Sequence, residues 1–214
     1  MEAQHASRWG SEVVAVDRAV YVAVAGTPTP GLDAALRRLS EAANYSRLSI
    51  SAAAGLALFG GRSGRRAAVT GLTSVAVTSA VMNLAVKPLV RRPRPERGEL
   101  VLEARRVPMP TSASFPSGHS AAAFAFATGV GHVLPWTAVP LRALGALVAY
   151  SRVHTGVHFP GDVVAGSLLG GAIAQVTARA IDRRGERQAL GGGAYVDKLA
   201  AANRLCAPKR RSGA

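Results

Sequence analysis

Residues 67–86 contain no charged side chain, and the run lies between Arg65-Arg66 on one side and Lys87 on the other. At about 1.5 Å of rise per residue, a helix of this length spans the roughly 30 Å of a bilayer core. Such a segment either crosses a membrane or lies wholly inside a protein core, and the neighbouring sequence decides between the two. Residues 112–141 and 163–178 also lack Asp, Glu, Lys and Arg. Helices of a soluble bundle carry a polar face, whereas these segments show Ala, Val, Leu, Gly, Ser and Thr all round. The pattern predicts an all-α integral membrane bundle of about five spans, over residues 47–61, 67–86, 118–134, 136–150 and 163–181. Gly166 and Gly170 are a candidate close contact between spans. Trp136 suits an interfacial belt, and Arg142 is near enough to a span end to snorkel.

The first forty residues differ in character. Val13, Val14, Val16, Val20, Val22 and Val24 mix with Glu12, Asp17 and Arg18, charges that are costly at a bilayer centre. Leu32, Leu36 and Leu39 recur at helical spacing opposite Asp33, Arg37, Arg38 and Glu41. Residues 1–46 are therefore expected to form two amphipathic interfacial helices joined by Thr27-Pro28-Thr29-Pro30-Gly31, with a sixth span over 13–26 as the alternative. Residues 47–181 would form the membrane-embedded domain. Residues 182–214 read as a basic cytoplasmic tail, mobile around its glycines 191–193, with a short helix near 194–205. Residues 1–10 lack the basic-then-apolar start of a secretory signal, so no processing is expected. Cys206 is the only cysteine, which excludes an intramolecular disulfide.

A formal net charge of +14 would suggest nucleic acid as a partner of a soluble protein. With membrane spans, the positive-inside rule accounts for the charge and no nucleic acid is expected. Arg62, Arg65 and Arg66 share one loop, and Arg179, Arg183, Arg184, Arg187, Lys209, Arg210 and Arg211 follow the last apolar segment. Alternating five spans puts these in the cytoplasm. It puts residues 87–115 and 152–162 together on the extracytoplasmic face.

In and directly beside those two stretches lie three clusters: Lys87 with Arg94-Pro95, Pro116-Ser117-Gly118-His119, and Ser151-Arg152 with His158 and Asp162. Together they supply three cations, two imidazoles and a carboxylate at the ends of apolar segments. That inventory suits phosphoryl transfer: cations neutralise phosphate oxygens, one imidazole attacks, another donates a proton, and a carboxylate orients the attacking ring. The N–H groups that open a helix after Ser117 and Gly118 make a seat for an anion. His154, His158 and Asp162 also fall at metal-ligand spacing on a helix, but Pro160 and Gly161 break that helix before the third ligand. No Gly-x-Ser-x-Gly elbow is present, which disfavours a serine hydrolase.

The order Lys-x6-Arg-Pro, Pro-Ser-Gly-His, Ser-Arg-x5-His-x3-Asp closely resembles the signature of the type 2 phosphatidic acid phosphatase family, which includes vanadium-dependent haloperoxidases. The resemblance runs from about residue 32 to 181. It implies that His158 is the nucleophile, Asp162 its orienting partner and His119 the general acid. Lys87, Arg94, Arg152, Ser117 and Gly118 would bind phosphate. No metal or other cofactor is implied. Arg91 and Arg92 match no position of the family and are assigned to lipid headgroups; His154 is expected to pack, and His5 and His132 to be incidental. The implied substrate is a lipid phosphate such as phosphatidate, phosphatidylglycerol phosphate, a polyprenyl (pyro)phosphate or a polyprenyl-linked sugar phosphate. Two rivals follow. A haloperoxidase would use the same pocket for vanadate, but those relatives are soluble and larger. A non-catalytic headgroup clamp would need the cations alone, not the two imidazoles and Asp162.

Overall fold

The computed structural model describes the backbone of residues 2–98 and 100–205, with side chains for 11–98 and 100–188. Among these residues all regular structure is helical. The chain divides into two units, residues 1–178 and residues 179–214. The first contains the candidate site.

Helix α1 (Glu2–Gly26) ends at the Pro-rich link, and Pro30 opens α2 (Pro30–Ala42), a position where its missing N–H costs nothing. A 3-10 turn, Asn44–Ser46, leads into α3 (Arg47–Phe59). Helix α4 (Gly61–Val81) widens into a π-helical turn at Met82–Val86 and closes with one turn, α5 (Lys87–Leu89). Pro93 and Pro95 then hold the chain out of helix, as expected of rings that fix φ and remove N–H donors. Helix α6 (Gly118–Val133), α7 (Ala138–His154) and α8 (Pro160–Leu205) complete the order.

Helix α4 packs on α3 and α6, and α6 on α7. Small residues make this possible. Ala53, Ala67, Ala68, Ala125 and Ala174 surround Phe126 and Val130 in one core cluster. Gly166 and Gly170 form the contact expected of them. A Cβ at Gly166 would lie 2.4 Å from the Ser117 carbonyl oxygen, and one at Gly170 2.2 Å from that of Ala121, so only glycine lets α8 lie this close to the start of α6. That approach brings Asp162 beside the Ser117 loop.

Among the described residues two segments, Gly61–Leu89 and Pro160–Gln188, are long and apolar enough to cross a membrane. Helices α3, α6 and α7 have 13, 16 and 17 residues. Leu58, Phe59, Leu84, Val139, Leu168 and Val176 are exposed, a surface that suits hydrocarbon better than water.

The sequence reading needs two corrections here. The face that α2 buries is Asp33, Leu36 and Ser40, while Leu32 is exposed. An ion pair from the buried Arg105 to Asp33 at 2.9 Å compensates the charge and overrides the hydrophobic stripe. The helix expected near 194–205 is not separate, because α8 runs without a break from Pro160 to Leu205. Cys206 and the Lys209-Arg210-Arg211 run lie outside the described residues.

Candidate active site

The three clusters converge. A cavity of about 240 Å³ is lined by Lys87, Arg94, Ser112, Gly118, His119 and His158, with Ala43, Tyr45 and Ser46 along another wall. Among the described residues no Asp or Glu lines it, so the cavity presents cations and imidazoles to whatever enters.

Local structure explains the placement. The π turn adds a residue to the last stretch of α4 and delivers Lys87 to the cavity, where its Nζ comes 3.6 Å from the position of a Cβ on Gly118. Lys87 therefore covers the first turn of α6. The Ser117 side chain caps that helix by accepting from the Ser120 N–H. The backbone N–H of Ser117 donates to the Asp162 carbonyl at 2.9 Å, so the expected phosphate contact from that group is corrected. Gly118 and His119 follow it in the first helical turn, where N–H groups have no intrahelical acceptor.

Arg94 is pinned by Ser112 and Val157. Nε donates to the Ser112 carbonyl at 2.9 Å and Nη1 to the Val157 carbonyl at 2.8 Å. The same Nη1 stands 3.3 Å from His158 Nε2. The other ring nitrogen, Nδ1, faces Asp162 Oδ2 at 3.4 Å and Ser114 Oγ at 3.5 Å. Ser114 and the Phe159 N–H both donate to that carboxylate oxygen. The carboxylate thus holds one nitrogen of the ring and leaves Nε2 on the cation side. His158 is only 2 % exposed. Burial pushes its pKa down to about 4, with Arg94 and Arg152 acting in the same sense against the pull of Asp162. At neutral pH the ring is an unprotonated base, the state a nucleophile needs.

His119 Nε2 pairs with Asn44 Oδ1 at 2.9 Å. Arg152 is 1 % exposed and does not line the cavity; its Nη1 donates to the Ser40 Oγ and carbonyl at 2.7 and 3.2 Å. Its pKa falls to about 10 through burial and the neighbouring Arg94 and Arg97, which leaves it cationic at neutral pH. His154 turns away from the cavity to Thr29 and Asp33, at 2.9 and 3.3 Å. The His154, His158, Asp162 set therefore does not point at one centre.

Arg92 is corrected. Instead of reaching headgroups, it bridges Asp162 and Asp17. Asp17, Asn44, Ser112 and Ser114 were also not foreseen; they touch site residues far along the chain, and none carries a local spacing signal.

Residues 67–186 match the family described as PAP2 superfamily. A decaprenylphosphoryl-5-phosphoribose phosphatase from Mycolicibacterium smegmatis is 33% identical over 161 residues, covering 73% of this chain and 81% of the relative. The protein of the same name from Mycobacterium tuberculosis is 37% identical over 95 residues, 42% of this chain, and the match spans 49% of that relative's length. In fold, the chain is similar to a transmembrane PAP2-type phosphatidylglycerolphosphate phosphatase from Bacillus subtilis. The TM-score is 0.62 at 23% identity, over 81% of this chain and 87% of the other.

Proposed function

Because this chain belongs to the PAP2 superfamily, we propose that it is a membrane phosphatase that removes the terminal phosphate of a lipid monoester or pyrophosphate. The observation that carries the reading is the cavity itself: Lys87, Arg94, His119 and His158 line it with no carboxylate among the described residues, and Asp162 backs His158 from behind. A polyprenyl-linked phosphate is the favoured substrate class, since two relatives are named for a decaprenylphosphoryl substrate.

The chemistry follows from the geometry. Lys87, Arg94 and the N–H groups of Gly118 and His119 hold the phosphate oxygens, and Arg152 adds its charge from outside the lining. His158 Nε2 attacks phosphorus in line as the bond to the leaving oxygen breaks, and His119 delivers a proton to that oxygen. A phosphohistidine results. Water then attacks phosphorus, His119 takes its proton, and the P–N bond breaks to release phosphate. Fixed cations supply the charge stabilisation that an ion supplies in other phosphoryl-transfer sites, so the reaction is metal-independent. Five spans with the site on the extracytoplasmic face remain the proposed topology. The arginines at 62, 65 and 66 support it, standing at the opposite end of α4 from Lys87.

The test uses the purified chain in detergent with a panel of lipid phosphates. Phosphate release should survive excess EDTA and be inhibited by vanadate. Activity that disappears on chelation and returns with a divalent ion would contradict the proposed site.

A further inference from the structure

The proposed steps give no task to Arg92, although it turns inward beside Asp162. Arg92 Nη1 donates to Asp162 Oδ1 at 2.9 Å, and its Nη2 to Asp17 Oδ2. The Asp17 Oδ1 in turn accepts from the Gly161 N–H. The guanidinium also lies over the Phe159 ring, 4.2 Å from its centroid. Asp162 is fully buried and Asp17 nearly so, so this pair of charges is shielded from solvent screening. Both oxygens of Asp162 are thereby committed: Oδ1 to Arg92, and Oδ2 to Ser114 and the Phe159 N–H, on the side that meets His158. A carboxylate held at both ends cannot swing about its terminal torsion.

The charges facing His158 give this clamp a second effect. Arg94 stands at Nε2; Arg152 acts from the last turn of α7; Lys87 and His119 share the cavity; among the described residues Asp162 is the one acid at the ring. Asp162 is therefore what favours the imidazolium, and a cation on its far oxygen weakens that pull.

We propose that Arg92, itself held by Asp17, is a positioning residue: it fixes the Asp162 carboxylate against His158 Nδ1 and offsets its charge, so that His158 stays both aimed and unprotonated. This rests on the reading of His158 as nucleophile. Helix α1 thereby becomes part of the site through Asp17, although none of its described side chains lines the cavity.

The experiment measures kcat and KM for p-nitrophenyl phosphate against pH, using the full chain in detergent. Its variants are Arg92→Gln, Arg92→Lys and Asp17→Asn. The ionisation of the substrate is common to all of them. For Arg92→Gln, kcat should fall about 10-fold or more with KM within about twofold, as for lost partners of an orienting ligand. Removing the cation also strengthens the pull of Asp162 on protonated His158, so the acid limb should move up by roughly one pH unit. Arg92→Lys keeps the charge and should bring the limb back. An unmoved limb, or a raised KM with kcat intact, overturns the proposal. If Arg92→Gln does not fold, Asp17→Asn decides, since Asn still accepts from Gly161 but frees half of the guanidinium. A kcat loss at constant KM supports the proposal, and unchanged kcat overturns it. A wild-type chain inactive on every phosphate ester would instead tell against the phosphatase reading.

Discussion

His119 and His158 share a cavity but have different backing, an amide for the first and a carboxylate for the second. That difference separates their roles by experiment. Replacing His158 by Ala should abolish turnover of every substrate, because no covalent route remains. The proton from His119 contributes typically about 10²–10⁴, and a lipid alkoxide needs it while a nitrophenolate leaves well without it. His119→Ala should therefore lose far more activity toward a lipid monoester than toward p-nitrophenyl phosphate, and should accumulate phosphohistidine with the latter. Equal losses and no trapped intermediate would reduce His119 to a positioning role. At this scale the sequence was readable where a residue's placement follows from its motif, as for Lys87, Arg94 and His158 at the cavity and Asp162 beside His158. It was silent where a role depends on a partner brought in by folding. Nothing around Asn44 marks it as the partner of His119, and an arginine among four in residues 91–97 carries no sign of which one turns inward.

Helices α6 and α8 show how much an element's contribution depends on side chains it lacks. The Ser117 loop and Asp162 meet only because Gly166 and Gly170 let the two backbones touch. A Gly170→Val substitution places Cβ at 2.2 Å from the Ala121 carbonyl, which α8 can relieve only by moving away. We expect a destabilisation of about 1–3 kcal/mol, typical of overpacking, with loss of phosphatase activity larger than the stability loss explains. Thermal unfolding and turnover of the same detergent preparation check this; an active enzyme with unchanged Tm would mean the helices are not in such contact. Helix positions were legible from apolar runs and from Pro and Gly punctuation. The inward face of α2 was not, because Asp33 is buried by Arg105 and His154, and neither residue is near it in sequence.

For the whole molecule, the open question is orientation, and charge predicts it. A cysteine placed at Glu103, in the 3-10 turn Glu103–Arg105 between α5 and α6, should react with a membrane-impermeant thiol reagent in intact cells, and native Cys206 should not. The opposite labelling would turn the site toward the cytoplasm. The tie between Asp17 and the Gly161 N–H, 144 residues apart, bears on how such a molecule is made. A ribosome that has released α1 must deliver the proposed site from Lys87 to His158 before that tie can close. Asp162, the acid proposed to aim the nucleophile, is the last of the site residues to leave the exit tunnel. A nascent chain halted anywhere before residue 162 therefore lacks the proposed orienting acid, and the proposed site can assemble only once the start of α8 has been made.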